Sequence, residues 1–412
     1  MERSLARGLG AGRGHSPAVG MALAIALLAY PALAWPQSKE SPTAATYGPL
    51  HLDMTARIQL DGRTTDTSQA DEHDLDLSRK RIGVKGSLGD DVAFEVEAEI
   101  ADDRPWRDVF VDYRPLSVLR AQAGHFKLPF GLEATTGGTK LDFVYRARAA
   151  SLLAPGRDWG AMAHGRLWRR IGYEVGGFVG RETPGQPSTG ADGAPTWAAR
   201  LTSTPFRGTK GGLTDLHVGF AATNEPLGGA PLRARTTLGE DVFPTAFNVA
   251  GRRRRTGLEA RWRPGPASVA AEFVRVADDR RGQSISGGDL APLVAQSWYV
   301  SGTWAVTGER KARGLDRPLR PFLNGGMGAI EVAARFERLA FAGGSGSEPA
   351  SLSPRAERIS PASDAVLTLG ANWYLNRWIK VQGNLLREHV RRADGLPAGN
   401  SWGRVVRLQV AL

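Results

Sequence analysis

Arginine and lysine recur in this sequence at spacings that suit an oxyanion. Arg79-Lys80-Arg81 is followed by Lys85, and Arg57 sits within Asp53–Leu60. A later stretch, Pro129–Asp158, carries Lys140, Arg146, Arg148 and Arg157. A guanidinium is planar, keeps its charge at any relevant pH and donates two parallel hydrogen bonds to phosphate or carboxylate. Several such groups around a narrow passage raise the local anion concentration and offset lost hydration. For any one of them the competing reading is a solvated face. Arg252-Arg253-Arg254-Arg255 reads that way, as a rim cluster after a long polar stretch. Glu95, Glu97 and Glu99 share one phase of their segment, and three carboxylates would oppose anions unless neighbouring arginines offset them.

Other chemistries are not supported. There is no cysteine, so thiolate metal sites, cysteine nucleophiles and disulfides are excluded. Six of the seven histidines (His51, His73, His125, His164, His217 and His389) lie far apart beyond residue 34 and form no His-Glu-x-x-His pattern. No Gly-x-Ser-x-Gly elbow or phosphate-binding P-loop occurs. Asp71–Asp76 lacks the spacing of a calcium loop and reads as a solvated turn. No enzyme activity, metal or cofactor is expected.

Across its 412 residues the chain holds 53 Lys+Arg against 42 Asp+Glu, a net charge of +11. That balance suits an anionic partner. The basic residues interleave with glutamates instead of forming one stripe, which argues against nucleic acid. Residues 1–34 read as a secretory signal: Arg3, Arg7 and Arg13, then the apolar Met21–Ala29, then Ala32-Leu33-Ala34. The Gly8–Gly12 run lies in its charged portion and is not a nucleotide loop. Without this segment 50 basic and 41 acidic residues remain, or +9.

Beyond a short segment at 35–47, period-two alternation dominates residues 48–412. Val92, Phe94, Val96, Ala98 and Ile100 alternate with Glu95, Glu97 and Glu99, and Val406, Leu408, Val410 and Leu412 alternate with Arg407 and Gln409. One face of each such strand is apolar and the other polar. The pattern predicts about sixteen strands, starting near Gly48, Asp76, Val92, Arg107, Val118, Trp159, Arg170, Pro195, Gly212, Arg252, Gly265, Leu293, Gly326, Asp364, Trp378 and Gly403. Turn chemistry separates them, as in Leu88–Asp91 and Arg263–Pro266. A soluble all-β protein would turn the apolar faces inward, whereas a transmembrane barrel turns them to lipid around a polar lumen. Strands of about ten residues, short turns alternating with long loops, the export signal and a last strand running to Leu412 favour the barrel. Tryptophans near strand ends, with Tyr374, suit interfacial girdles. Acidic surface partners of the cations would include outer-membrane lipopolysaccharide phosphates.

On these residues the chain resembles the phosphate-selective porin O and P family. The resemblance rests on Arg79–Gly86, on Phe94–Glu97, and above all on the Gly-x-Phe-x-x-Pro-Phe-Gly-Leu-Glu run at Gly124–Glu133. It extends over Phe143–Arg146, Gly156–Gly160, Leu369–Tyr374 and Val406–Gln409. It implies a sixteen-stranded outer-membrane barrel, usually a trimer, with a long loop folded into the lumen, passing small anions such as phosphate or polyphosphate. It implies a basic constriction drawn from Arg57, Arg79, Lys80, Arg81, Lys140, Arg146 and Arg148, with Glu99 loosening the anion. The sequence departs from the pattern at Gly137-Gly138, Tyr145 and Leu412. The alternatives are a general or other-solute porin, such as one for carbohydrate, and a soluble periplasmic all-β binding protein.

Overall fold

The computed structural model describes residues 43–66, 71–103, 105–179, 194–232, 234–242, 247–344, 349–392 and 398–412. The expected signal segment lies outside them. A short strand, β1 (Ala44–Tyr47), turns at Gly48-Pro49 and pairs with the start of β2 (Leu50–Asp66). Fifteen more strands follow: β3 (Asp71–Leu88), β4 (Val92–Glu99), β5 (Trp106–Tyr113), β6 (Arg120–Lys127), β7 (Arg157–Leu167), β8 (Ile171–Phe178), β9 (Thr196–Ser203) and β10 (His217–Leu232); then β11 (Phe247–Trp262), β12 (Ala267–Arg280), β13 (Leu290–Ala305), β14 (Ala329–Gly343), β15 (Ile359–Tyr374), β16 (Ile379–Arg391) and β17 (Gly399–Ala411). Each pairs antiparallel with the next, and β17 pairs with β2, which closes a sixteen-stranded barrel. Among the described residues, closure leaves none of the strands β2–β17 as an edge. Each predicted strand start lies within five residues of an observed one.

The alternation is inverted relative to a soluble protein. On β13, Trp298, Val300 and Trp304 are exposed, while Ser297, Tyr299, Ser301 and Thr303 are buried. On β17, Arg407 and Gln409 are buried and Val406 faces outward. The outer face therefore presents apolar side chains, and the polar set faces a lumen. Trp159, Trp304 and Trp402 are exposed on the outside, as girdle aromatics would be. Tyr374 departs from that expectation: it points inward, with its hydroxyl towards Glu331 at 3.4 Å.

Strand length is uneven. β4, β5, β6, β8 and β9 have eight residues each, whereas β10–β17 have thirteen to sixteen. The stretch between β6 and β7, residues 128–156, does not leave the barrel. It packs against the inner wall of β11–β14, where Phe130, Ala147, Leu153, Val249, Val274, Leu339 and Phe341 form one buried apolar cluster. So one half of the lumen is filled, and the other half stays open.

The outward assignment predicts an asymmetry between faces. Leu367→Arg, in the middle of β15 and exposed, should destabilise the liposome-inserted barrel by about 2–4 kcal/mol. Gln122→Arg, facing the lumen, should cost about 1 kcal/mol or less in the same denaturant titration. Equal costs would contradict the assignment.

Candidate functional site

The inward loop begins in the most specific stretch of the sequence, and its geometry explains each residue there. Phe130 is fully buried against Gly257 of β11, where a Cβ would lie 3.0 Å from the ring. Gly131 adopts φ 74°, in the left-handed region that favours glycine, and a Cβ on it would meet Glu272 Oε1 at 2.8 Å. That approach lets the amides of Leu132 and Glu133 donate to the two Glu272 oxygens at 2.5 and 2.9 Å. A single helical turn, Leu132–Thr135, follows, and Lys127 Nζ donates to the carbonyls of Ala134 and Thr136 at 2.8 and 3.0 Å.

From there the wall supplies partners for the loop backbone. Lys380 Nζ donates to Thr139 and Leu141 carbonyls, Asn372 to Asp142, Arg407 to Val144, Arg335 to Tyr145 and Arg255 to Leu153. Asn384 accepts from the Val144 amide and Glu337 from that of Arg148. Lys311, from the β13–β14 connection, bridges Asp142 at 2.6 Å and also pairs with Glu331. Buried backbone groups without partners would each cost about 1–3 kcal/mol, so this pairing fixes the loop's position.

Between the loop and the wall of β2–β8 a cavity of about 720 Å³ remains. Nine basic residues line it (Arg57, Arg63, Arg79, Arg81, Lys85, Lys127, Arg146, Arg157 and Arg407) against five acidic ones (Asp61, Glu95, Glu97, Asp108 and Glu174). The in-phase glutamates are all engaged. Glu95 pairs with Lys85 at 3.0 Å, Glu97 with Arg81 at 2.8 Å and Arg57 at 3.5 Å, and Glu99 with Arg81 at 2.6 Å and Arg107 at 3.7 Å. Arg157 faces Asp108 at 2.7 Å, and Arg407 holds Asp61 through two 2.6 Å bonds. Among the described residues, Arg79, Lys127 and Arg146 have no carboxylate within 4.0 Å. Arg79 bonds only the carbonyl of Ser78, and Arg146 reaches the carbonyls of Glu133 and Thr136.

The expected constriction set is thus brought together only in part. Arg57, Arg79, Arg81 and Arg146 face one cavity, and Glu99 sits beside it as the partner of Arg81. Lys80 does not join them. It pairs across the sheet with Ile58 and shares the outward face of Ile58 and Ile82, because adjacent strand residues point to opposite sides. Lys140 borders a different, smaller cavity. Arg148, on the loop, is buried against the wall, 3.5 Å from Asp364 and bonded to the Arg235 carbonyl, so it acts as a structural tie. The Arg252–Arg255 run lies within β11 and divides by face: Arg253 holds Asp278 at 2.6 Å and Arg255 pairs with Glu225 inside the barrel, whereas Arg252 and Arg254 are exposed on the other face. Lys127, Arg63 and Arg407 were absent from the expected set. For Lys127 the signal was present, since it sits in the most specific motif; for Arg407 it was the polar phase of the last strand.

A family model described as phosphate-selective porin O and P matches residues 52–411. The chain belongs to that family. It is an outer-membrane porin, and its barrel is similar to solved outer-membrane proteins at low identity. In-vitro folded OmpT of Vibrio cholerae aligns with TM-score 0.56 at 12% identity, over 89% of this chain and 99% of that one. The outer membrane channel DcaP of Acinetobacter baumannii gives 0.56 at 11%, over 89% and 99%. Salmonella typhi OmpF, in a complex with daunomycin, gives 0.51 at 10%, over 90% and 100%. At such identities the likeness concerns the fold. No curated protein matches the chain by sequence.

Two outcomes follow for the porin. Glu272→Ala strips two loop amides of their acceptor, so the loop should loosen and single-channel conductance should rise or become noisy; an unaltered, quiet conductance would contradict the clamp. Burial pushes the Glu133 carboxyl up to about 7, against the pull of Arg335. A raised folded-state value means that this group's contribution to stability is full below the ordinary carboxylate range and is lost as pH rises towards about 7. Thermal unfolding in detergent should therefore fall between pH 5 and pH 8, and Glu133→Gln should flatten that slope. An identical slope in the variant would exclude Glu133 as its source.

Proposed function

We propose that this porin is a passive diffusion channel that prefers anions, with phosphate-like oxyanions as its solutes. The observation that carries the reading is the trio Arg79, Lys127 and Arg146, cations without a carboxylate partner on one cavity whose lining is basic by four residues. Their hydrogen-bond capacity towards the cavity suits an oxyanion that has shed part of its water. The neighbouring pairs of Arg57, Arg81 and Arg157 with carboxylates moderate the attraction, and conduction needs binding weak enough to release. A second reading, a pore for larger organic solutes, draws on Phe110, Phe126, Tyr145 and Met162, which line the same cavity.

The porin is proposed to assemble as a trimer in the outer membrane after export by the 1–34 signal, with lipid and lipopolysaccharide around it. An eight-residue strand is about 26 Å long and, tilted by about 45°, covers about 19 Å, short of an apolar band about 25 Å tall. The short strands therefore suit a protein neighbour better than lipid. Their outer face is also flat: Ala121, Ala123, Ala161 and Ala163 line a shallow groove beside Val111 and Tyr113. OmpT of Vibrio cholerae has a solved trimer form, which aligns with TM-score 0.52.

Planar-bilayer recording tests the channel reading. In a salt gradient the zero-current potential should report anion preference, and Arg79→Ala should lower the anion-to-cation permeability ratio severalfold. Phosphate should compete with chloride current. Cation preference in the native protein would refute the proposal, and chloride current indifferent to phosphate would leave only the broader pore. For assembly, Ala123→Glu should convert the heat-labile oligomer band on a semi-native gel to monomer; an unchanged oligomer would move the interface elsewhere.

A further inference from the structure

The inward loop has a second cavity on its other side, bounded by β11–β14, and its chemistry is that of an oxyanion site. Arg261 is the penultimate residue of β11, and Ser268 is the second residue of β12, so both lie next to the short turn at 263–266. Arg261 pairs with Ala270, and Ala270 with Ser301, which sets these three on one rung across three strands. Arg261, Ser268 and Ser301 line the cavity, and Lys140 of the loop faces them.

The charges at this place do not cancel. Among the described residues neither Lys140 nor Arg261 has a carboxylate within 4.0 Å, and Arg261 Nε is buried with no hydrogen-bond partner. Two carboxylates also line the cavity, and each is held by a cation of its own: Glu133 faces Arg335, a third basic residue of the lining, at 3.3 Å, and Asp142 is bridged by Lys311 at 2.6 Å. Glu259, next along the inward face of β11, pairs with Arg200 at 2.6 Å and His217 at 2.7 Å. Tyr299 donates its hydroxyl to Glu272, so it offers nothing to a ligand. Among the described residues Ser268 forms no side-chain hydrogen bond, and Ser301 makes one, a long contact of 3.4 Å to the Ala270 carbonyl. Two cations without a carboxylate partner and two hydroxyls, one free of hydrogen bonds among the described residues and one weakly bonded, therefore converge. Fixed donors of this kind match a tetrahedral oxyanion, which accepts several charge-assisted hydrogen bonds at once.

We propose that Lys140, Arg261, Ser268 and Ser301 form a second anion-binding site, separate from the wide cavity and close to the short-turn end of the barrel. It would take inorganic phosphate or a phosphate monoester. The inference rests on the anion-preferring reading of the pore, and it adds a second binding station behind the loop.

Calorimetric titration of the detergent-purified porin with inorganic phosphate is the test, paired with the zero-current potential of the same preparations. The native protein should bind two phosphates per chain. Arg261→Gln should weaken one of them by about tenfold or more, the loss of a charged donor, while keeping the native anion preference. Ser268→Ala, a change of one hydroxyl with little risk to folding, should weaken the same site by a smaller factor. An Arg261→Gln titration identical to the native one overturns the second site, as does a single phosphate per chain in a protein that is still anion-selective. Cation preference in the native protein would instead remove the pore reading itself.

Discussion

A loop of almost thirty residues inside a barrel must find partners for its own amides and carbonyls. That requirement organises the rest of this structure. Water-filled space could satisfy those groups, but a wandering loop would then define no bore. Here the wall of β11–β17 answers it with fixed side chains: Lys380, Asn372, Arg335, Arg255 and Arg407 as donors, and Glu272, Glu337 and Asn384 as acceptors. The inward face of those strands is consequently rich in charge, and most of that charge is consumed by the loop or by neighbouring strands. The open cavity is displaced to the opposite wall, and there the arginines remain partly unspent.

This division separates two roles that the composition merges. A basic excess spread along the chain says little about a partner. Arg253, Arg255, Arg335 and Arg148 are cations of the fold, buried with Asp278, Glu225, Glu337 and Asp364. Arg79, Lys127 and Arg146 are cations of the lumen. The difference is one of position, and it decides which of them a passing anion can meet. Breaking a buried pair by removing one partner strands the other charge, at about 3–5 kcal/mol, so the first group is constrained for stability alone.

Much of the barrel was legible because period two is a strong signal over strands with one apolar face. The sixteen starts came from alternation and turn residues such as Leu88-Gly89-Asp90-Asp91. The site was less legible. Period two alone assigns Lys80 to the face opposite Arg79 and Arg81, whereas the family resemblance groups all three. Arg148 could not be sorted from sequence, since its partner Asp364 lies far along the chain. Lys140 sits on the inward loop, but a loop has two sides, and only the wall contacts of Thr139 and Leu141 reveal which one Lys140 takes. The β2–β3 irregularity near Gln59 and Arg79, which changes the phase within β3, left no sequence mark.

Because the chain has no cysteine, single introduced thiols can map the open side of the lumen directly. The decisive measurement is single-channel conductance before and after a membrane-impermeant thiol reagent, in variants with cysteine at Arg79 or Gln122 and at Ser297 or Thr368. If the loop is bolted to the β11–β17 wall, the first two should lose conductance on modification and the last two should not react. Block at Ser297 or Thr368 with none at Arg79 and Gln122 would mean that the passage runs on the other side, and the account would be wrong.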